Sequence, residues 1–190
     1  MRFAVVGHVE WVEFVRVERV PRAGEIVHAH ETWEEAAGGG AVAAVQLARL
    51  AGACTLFTLL GGDEIGRRAR AQLAEQGVIV RAMVDPSPQR RAVVFVDDGG
   101  ERTITVLGDK LVPAGGDSRL PWHELEGADA VFFVSGDAEA VHAARRAPAR
   151  RSGPLRSSRR SRTRRRQGPE AARAETGRRA EPTRRVGQTS

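Results

Sequence analysis

One cysteine, one lysine and no apolar run of membrane-spanning length set the first bounds on this 190-residue chain. Cys54 has no partner for a disulfide within the monomer, which fits a reducing cytoplasm. It lies in CTLFTLL with no neighbouring base implied, so it is expected to be a small buried core residue rather than a nucleophile. The lone Lys110 stands in Gly108-Asp109-Lys110-Leu111, and without a G-K-[ST] string a Walker A phosphate loop is excluded. The amino-terminal MRFAVVGHVEW is too short for a signal peptide core and is broken by His8 and Glu10. A soluble, cytoplasmic protein without a membrane span is expected.

Charge divides the chain. Residues 1–144 carry 14 basic and 21 acidic side chains, a net charge of −7, whereas residues 145–190 carry 16 Arg and 3 Glu, a net charge of +13. The basic balance of the whole chain therefore belongs to its tail. There the only large aliphatic residues are Leu155 and Val186, too few to offset the entropy of ordering the backbone. The reading is a folded segment over 1–146 and a disordered Arg-rich tail over 147–190.

Within the first segment, RFAVV at 2–6 predicts a buried first strand of a mostly parallel sheet. Residues 11–20 and 25–33, joined by a turn over 21–24, predict an amphipathic strand pair. His28 and His30 would share one strand face, solvated and without a third metal ligand. After Gly38-Gly39-Gly40, Val42, Val45, Leu47 and Leu50 recur at near-helical spacing over 41–51. A buried strand follows over 54–60. After Gly61, Gly62 and Asp63 comes a helix, in which Ile65, Ala69 and Leu73 recur every four residues and which Gly77 ends. Arg67, Arg68 and Arg70 belong to its solvated face. A strand over 78–84 is broken by Asp85-Pro86-Ser87-Pro88. Residues 92–97 and 101–106 then flank Asp98-Gly99-Gly100, a hairpin whose Asp-Gly supplies positive φ. A loop, a strand within ADAVFFVSGD (128–137) and a helix from Ala138 complete the pattern.

The glycines at 38–40 admit two readings from the residues alone. Free N–H groups at a helix start would hold hydroxyls or an anion. Equally, Gly38, Gly40 and Ala43 fit G-x-G-x-x-A, with Asp63 at about the 20-residue distance of a dinucleotide-binding acid, although that fingerprint follows a first strand directly.

Taken together, Gly7 after strand one, Pro21 and Gly24-Glu25, GGG into AVAAVQLARLAG, GGDEIG at 61–66, Leu73 with GV at 77–78, VDDGGERTI at 96–104 and ADAVFFVSGD form an ordered set. This set resembles the ribokinase-like, or PfkB, family of sugar and nucleoside kinases over about the first 146 residues. The resemblance implies an α/β fold, a three-layer α/β/α sandwich with a small β lid built from 11–33 and 92–106, here truncated. It also implies ATP and Mg2+ as cofactors, phosphoryl transfer to a sugar or nucleoside hydroxyl, and a homodimer contact through the lid in some members.

By the same resemblance, Gly38, Gly39 and Gly40 are substrate-binding. Val42 stands where members often carry a sugar-binding asparagine. Val12 stands at the place of an acid, leaving Glu10 or Glu13 to substitute. Asp137 is either a further hydroxyl ligand or a strand-end cap. The family's base and anion hole lie in a late G-A-G-D motif, which this chain lacks. Ala114-Gly115-Gly116-Asp117 precedes SRLPWHEL rather than an apolar helix and reads as a loop decoy. No catalytic residue is assigned, and the chain is expected to be inactive as written. The tail is read either as the product of a frameshift in a GC-rich gene or as an arm that binds nucleic acid through phosphates.

Overall fold

Apolar side chains on both faces of Phe3-Ala4-Val5-Val6 suit a strand covered from above and below, and this segment is the first strand of the main sheet. The computed structural model describes residues 1–146, so the expectations for 147–190, disorder and nucleic-acid binding included, lie outside the described residues. In chain order the elements are β1 (Phe3–Val6), β2 (Glu10–Arg16), β3 (Glu31–Ala37), α1 (Gly39–Ala51), β4 (Cys54–Gly61), α2 (Glu64–Glu75), β5 (Val78–Asp85), β6 (Arg91–Val96), β7 (Arg102–Leu107), β8 (Ala130–Phe133) and α3 (Ala138–Arg145). A 3-10 turn over Trp122–Gly127 precedes β8.

The main sheet has the order β5-β4-β1-β8 with every pairing parallel. Val5, Leu56 and Leu60 face α1 and α2, while Ala4, Val6 and Phe57 face the 3-10 turn and α3. Three layers result. On α1 the buried stripe is Ala41, Ala44, Val45 and Ala48, spaced i, i+3, i+4 and i+7. The expected core residues Val42 and Leu50 fall beside that stripe and are 51% and 83% exposed.

A second sheet, order β3-β2-β6-β7, is built from the segments expected to form a lid and is called the lid below. Its central pair β2–β6 is parallel and the flanking pairs are antiparallel. The return strand pairs from Glu31 opposite Arg16, not from residue 25. Glu25 instead closes the turn at Gly24, accepting the Arg22 N–H and pairing with Arg19. His28 and His30 are therefore exposed as expected but lie outside the strand. At the β6–β7 hairpin the positive φ falls on Gly100, at 81°, rather than on Gly99. Asp97 Oδ1 accepts the Glu101 N–H there at 2.9 Å.

Two side chains fasten lid to body. Gln89, almost fully buried, accepts the Gly61 N–H through Oε1 at 2.9 Å and donates through Nε2 to Val9 O at 2.8 Å. Arg68 is exposed on α2, as expected for a solvated face. It also lies 4.5 Å over the Trp11 ring and 2.7 Å from the Glu34 carboxylate.

Candidate substrate site

The site forms where β1 ends, the lid begins and α1 starts. A Cβ at Gly7 would lie 2.7 Å from Gly40 Cα, and one at Gly40 would lie 2.7 Å from His8 O. Backbone thus touches backbone, and the Gly40 N–H donates to His8 O at 3.1 Å. Gly38, at φ 85° and ψ 158°, occupies a region essentially reserved for glycine. Gly38 has no side chain to cap α1 and no acid stands in the first turn, so His8 takes that part, its carbonyl and Nε2 accepting the Gly40 and Gly39 N–H groups.

His8 organises this junction. Its Nε2 accepts the Gly39 N–H at 3.3 Å, so the ring proton sits on Nδ1 and is donated to Ser135 Oγ at 2.8 Å. Ser135 Oγ also accepts the His8 backbone N–H at 3.0 Å, which leaves the hydroxyl proton free to donate elsewhere. Burial, followed by the charges of Lys110 and Arg90, pushes the His8 pKa below its usual value, with Glu10 opposing the shift. The imidazole is neutral at pH 7. Glu10 lies 3.8 Å from its Nε2 and pairs with Arg90 Nε at 2.7 Å.

Of the residues expected from sequence, Gly38, Gly39, Gly40 and Glu10 come together here. Glu13, three positions along β2, points to the opposite face of the strand from Glu10. Asp137 is a helix cap. Its Oδ1 accepts the Ala140 N–H of α3 at 2.7 Å and the Gly115 N–H at 2.9 Å, which hold its pKa below the usual carboxylate value. Asp63 likewise caps α2, accepting the Gly66 N–H at 2.9 Å and the Gln89 N–H at 3.2 Å. With Asp63 so engaged and the glycines following β3 rather than β1, the dinucleotide reading fails on both of its requirements.

His8, Arg90 and Ser135 were not singled out from sequence. A histidine directly after the strand-ending Gly7 was the one available signal for them. Burial raises the Cys54 thiol to about 11, in keeping with an inert core residue.

The loop Ala114-Gly115-Gly116-Asp117 opens no helix, and Asp117 is occupied by the Arg119 guanidinium at 2.6 Å. A Cβ at Gly115 would collide with the Glu139 backbone, so the loop is packed shut against α3. No group of three His, Cys, Asp or Glu residues placed to hold a metal occurs among the described residues. No described helix is long and apolar enough to cross a membrane.

Comparison with known proteins agrees with the architecture. The family of pfkB carbohydrate kinases matches residues 2–144. A ribokinase of Dictyostelium discoideum is 30% identical over 106 residues, 55% of this chain and 33% of that protein. An ATP-dependent ribose-1-phosphate kinase of Halopiger xanaduensis is 30% identical over 149 residues, 77% of this chain and 50% of that protein. This chain thus spans between a third and a half of the length of these curated relatives.

Among solved structures, the Arabidopsis thaliana ribokinase complexed with ribose and ATP superimposes with a TM-score of 0.56. It is 24% identical, and the match covers 76% of this chain and 50% of that one. The Thermotoga maritima ribokinase gives 0.56 at 22% identity, over 68% and 43%. With the family's match running over residues 2–144, three quarters of its length, the chain belongs to the pfkB family of carbohydrate kinases.

Proposed function

We propose that this chain is the sugar-binding part of a PfkB-type kinase, and that as written it binds a sugar or nucleoside without phosphorylating it. The observation behind this reading is the junction of Gly38–Gly40 with His8, Ser135 and Glu10. The Ser135 hydroxyl proton would donate to a sugar oxygen, and Glu10 would accept from sugar hydroxyls. Asp137 keeps Oδ2 for a further hydroxyl. Curated relatives named for ribose and ribose-1-phosphate favour a pentose. ATP and Mg2+ serve the family reaction, but the donor set described here offers no anion hole for a transferring phosphate.

The test is calorimetric titration of the purified chain with ribose, beside a phosphotransfer assay with Mg-ATP. Ribose binding that disappears in Gly40→Ala, together with no transfer, is expected. Turnover of ribose would overturn the second half of the proposal, and a wild-type chain indifferent to ribose and other pentoses would overturn the first. Salt-sensitive nucleic-acid binding that is lost on deleting residues 147–190 would favour the tail reading instead.

A further inference from the structure

His8 joins three segments at the substrate junction. Its Nε2 accepts the Gly39 N–H of the glycine turn at 3.3 Å, its Nδ1–H donates to Ser135 just beyond β8 at 2.8 Å, and Glu10 of β2 lies 3.8 Å away. The His8 and Glu10 side chains are only 12% and 16% exposed, so little solvent screens one from the other. The Gly39 bond is the contact that a proton reverses. An imidazolium has no acceptor, so its Nε2–H would face the Gly39 N–H donor to donor. Glu10 Oε1, at 3.8 Å, would then draw the ring, in competition with Arg90, whose Nε holds the same oxygen at 2.7 Å.

We propose that His8 is a positioning residue whose proton state gates the sugar site. Neutral, it holds the glycine turn and leaves Glu10 to the sugar; protonated, it releases the turn and engages Glu10. The inference rests on the reading of this junction as a sugar site. Ser135 and the glycine turn bring no charge to the ring, and the charges that face it are Glu10 on β2, Arg90 before β6 and Lys110 after β7. Lys110 follows the turn at Gly108, whose Cβ position lies 4.0 Å from Arg90 Cα. Burial and the two cations outweigh Glu10 and keep the ring neutral at pH 7. His8 thus acts through Gly39 and Glu10, without touching the sugar itself.

The experiment is calorimetric titration of the full chain with ribose from about pH 8 to about pH 5, beside nitrogen-15 NMR of the Gly39 amide over the same range. Ribose affinity is expected to hold steady above pH 6.5 and to fall about tenfold per pH unit below the native His8 value, with the Gly39 amide shifting at the same midpoint. His8→Gln should bind more weakly but with an affinity flat over this range, because its amide accepts the Gly39 N–H without titrating. Lys110→Ala removes a cation that opposes protonation, so in that variant both midpoints should move to higher pH. Wild-type affinity that is flat with pH, or an unchanged slope in His8→Gln, overturns the proposal and leaves the sugar site standing. A Gly39 amide indifferent to the His8 proton overturns it as well. A chain that binds no pentose at any pH overturns the sugar-site reading, and this inference with it.

Discussion

Replacing Gly38 by alanine isolates what the glycine turn costs and what it provides. The backbone there, φ 85° and ψ 158°, lies in a region that costs a residue with a Cβ about 1–3 kcal/mol. The new Cβ would also sit 3.0 Å from Glu10 N and 3.2 Å from both Glu10 Cγ and His8 Cδ2, and overpacking of this kind costs about 1–3 kcal/mol. The contacts at 3.0 and 3.2 Å are relieved by shifts of a few tenths of an ångström, so a total of about 3 kcal/mol is expected, in the lower half of the combined range. Gly24 is the control. It too has positive φ, at 82°, but nothing within 4 Å of its Cβ position, so Gly24→Ala should cost about 1 kcal/mol. For a chain of this size the midpoint falls about 2–4 °C per kcal/mol, so thermal melts should drop about 6–12 °C for Gly38→Ala and about 2–4 °C for Gly24→Ala. Equal drops would refute the argument, because they would mean that the crowding at the junction carries no energy.

Three further outcomes follow from the contacts. His8 has a native pKa below its usual 6.5, so the unfolded chain takes up a proton first. Stability should fall as pH drops through 6.5 and level off below the native value, and His8→Gln should remove that step from urea melts measured across pH. Gln89→Ala leaves the Gly61 N–H and the Val9 carbonyl buried without partners, and should cost about 2–4 kcal/mol in denaturant titration. Asp137→Ala removes the α3 cap and should cost about 1 kcal/mol, whereas Asp137→Asn should retain most of the stability. The Asp137 contribution is present above the usual carboxylate pKa and lost as pH falls through its depressed native value, so the Asp137→Ala and wild-type curves should converge in acid.

Most strands were legible because they are short apolar runs closed by glycine, proline or an acid, whereas β3, ETWEEAA, has no such run and its start was placed too early, at residue 25. The α1 face was misjudged for a physical reason. Large aliphatics drew attention to Val42 and Leu50, while the helix approaches the sheet through Ala41, Ala44 and Ala48, whose small side chains permit that closeness. His8 and Ser135 are 127 positions apart, so no local spacing announces their hydrogen bond. Arg90 and Glu10 are likewise 80 positions apart and are joined only when β6 pairs with β2. Glu13 and Glu10 looked interchangeable as strings of letters, and strand alternation separated them. The acids before the helices, Asp63 and Asp137, stood at positions where capping was readable, and capping is what both do.

The lid's parallel centre has a consequence for how the chain is made. β2 and β3 leave the ribosome as a hairpin, yet Val12 and Phe14 gain their β6 neighbours only when residues some 80 positions later arrive. All of α1, β4, α2 and β5 is synthesised between. The nascent hairpin must therefore wait with an apolar face uncovered, and long loop closure makes its completion slow. Gln89 acts at that late moment as a latch, since the residue that hydrogen-bonds Val9 stands two positions before β6, the strand that pairs with β2.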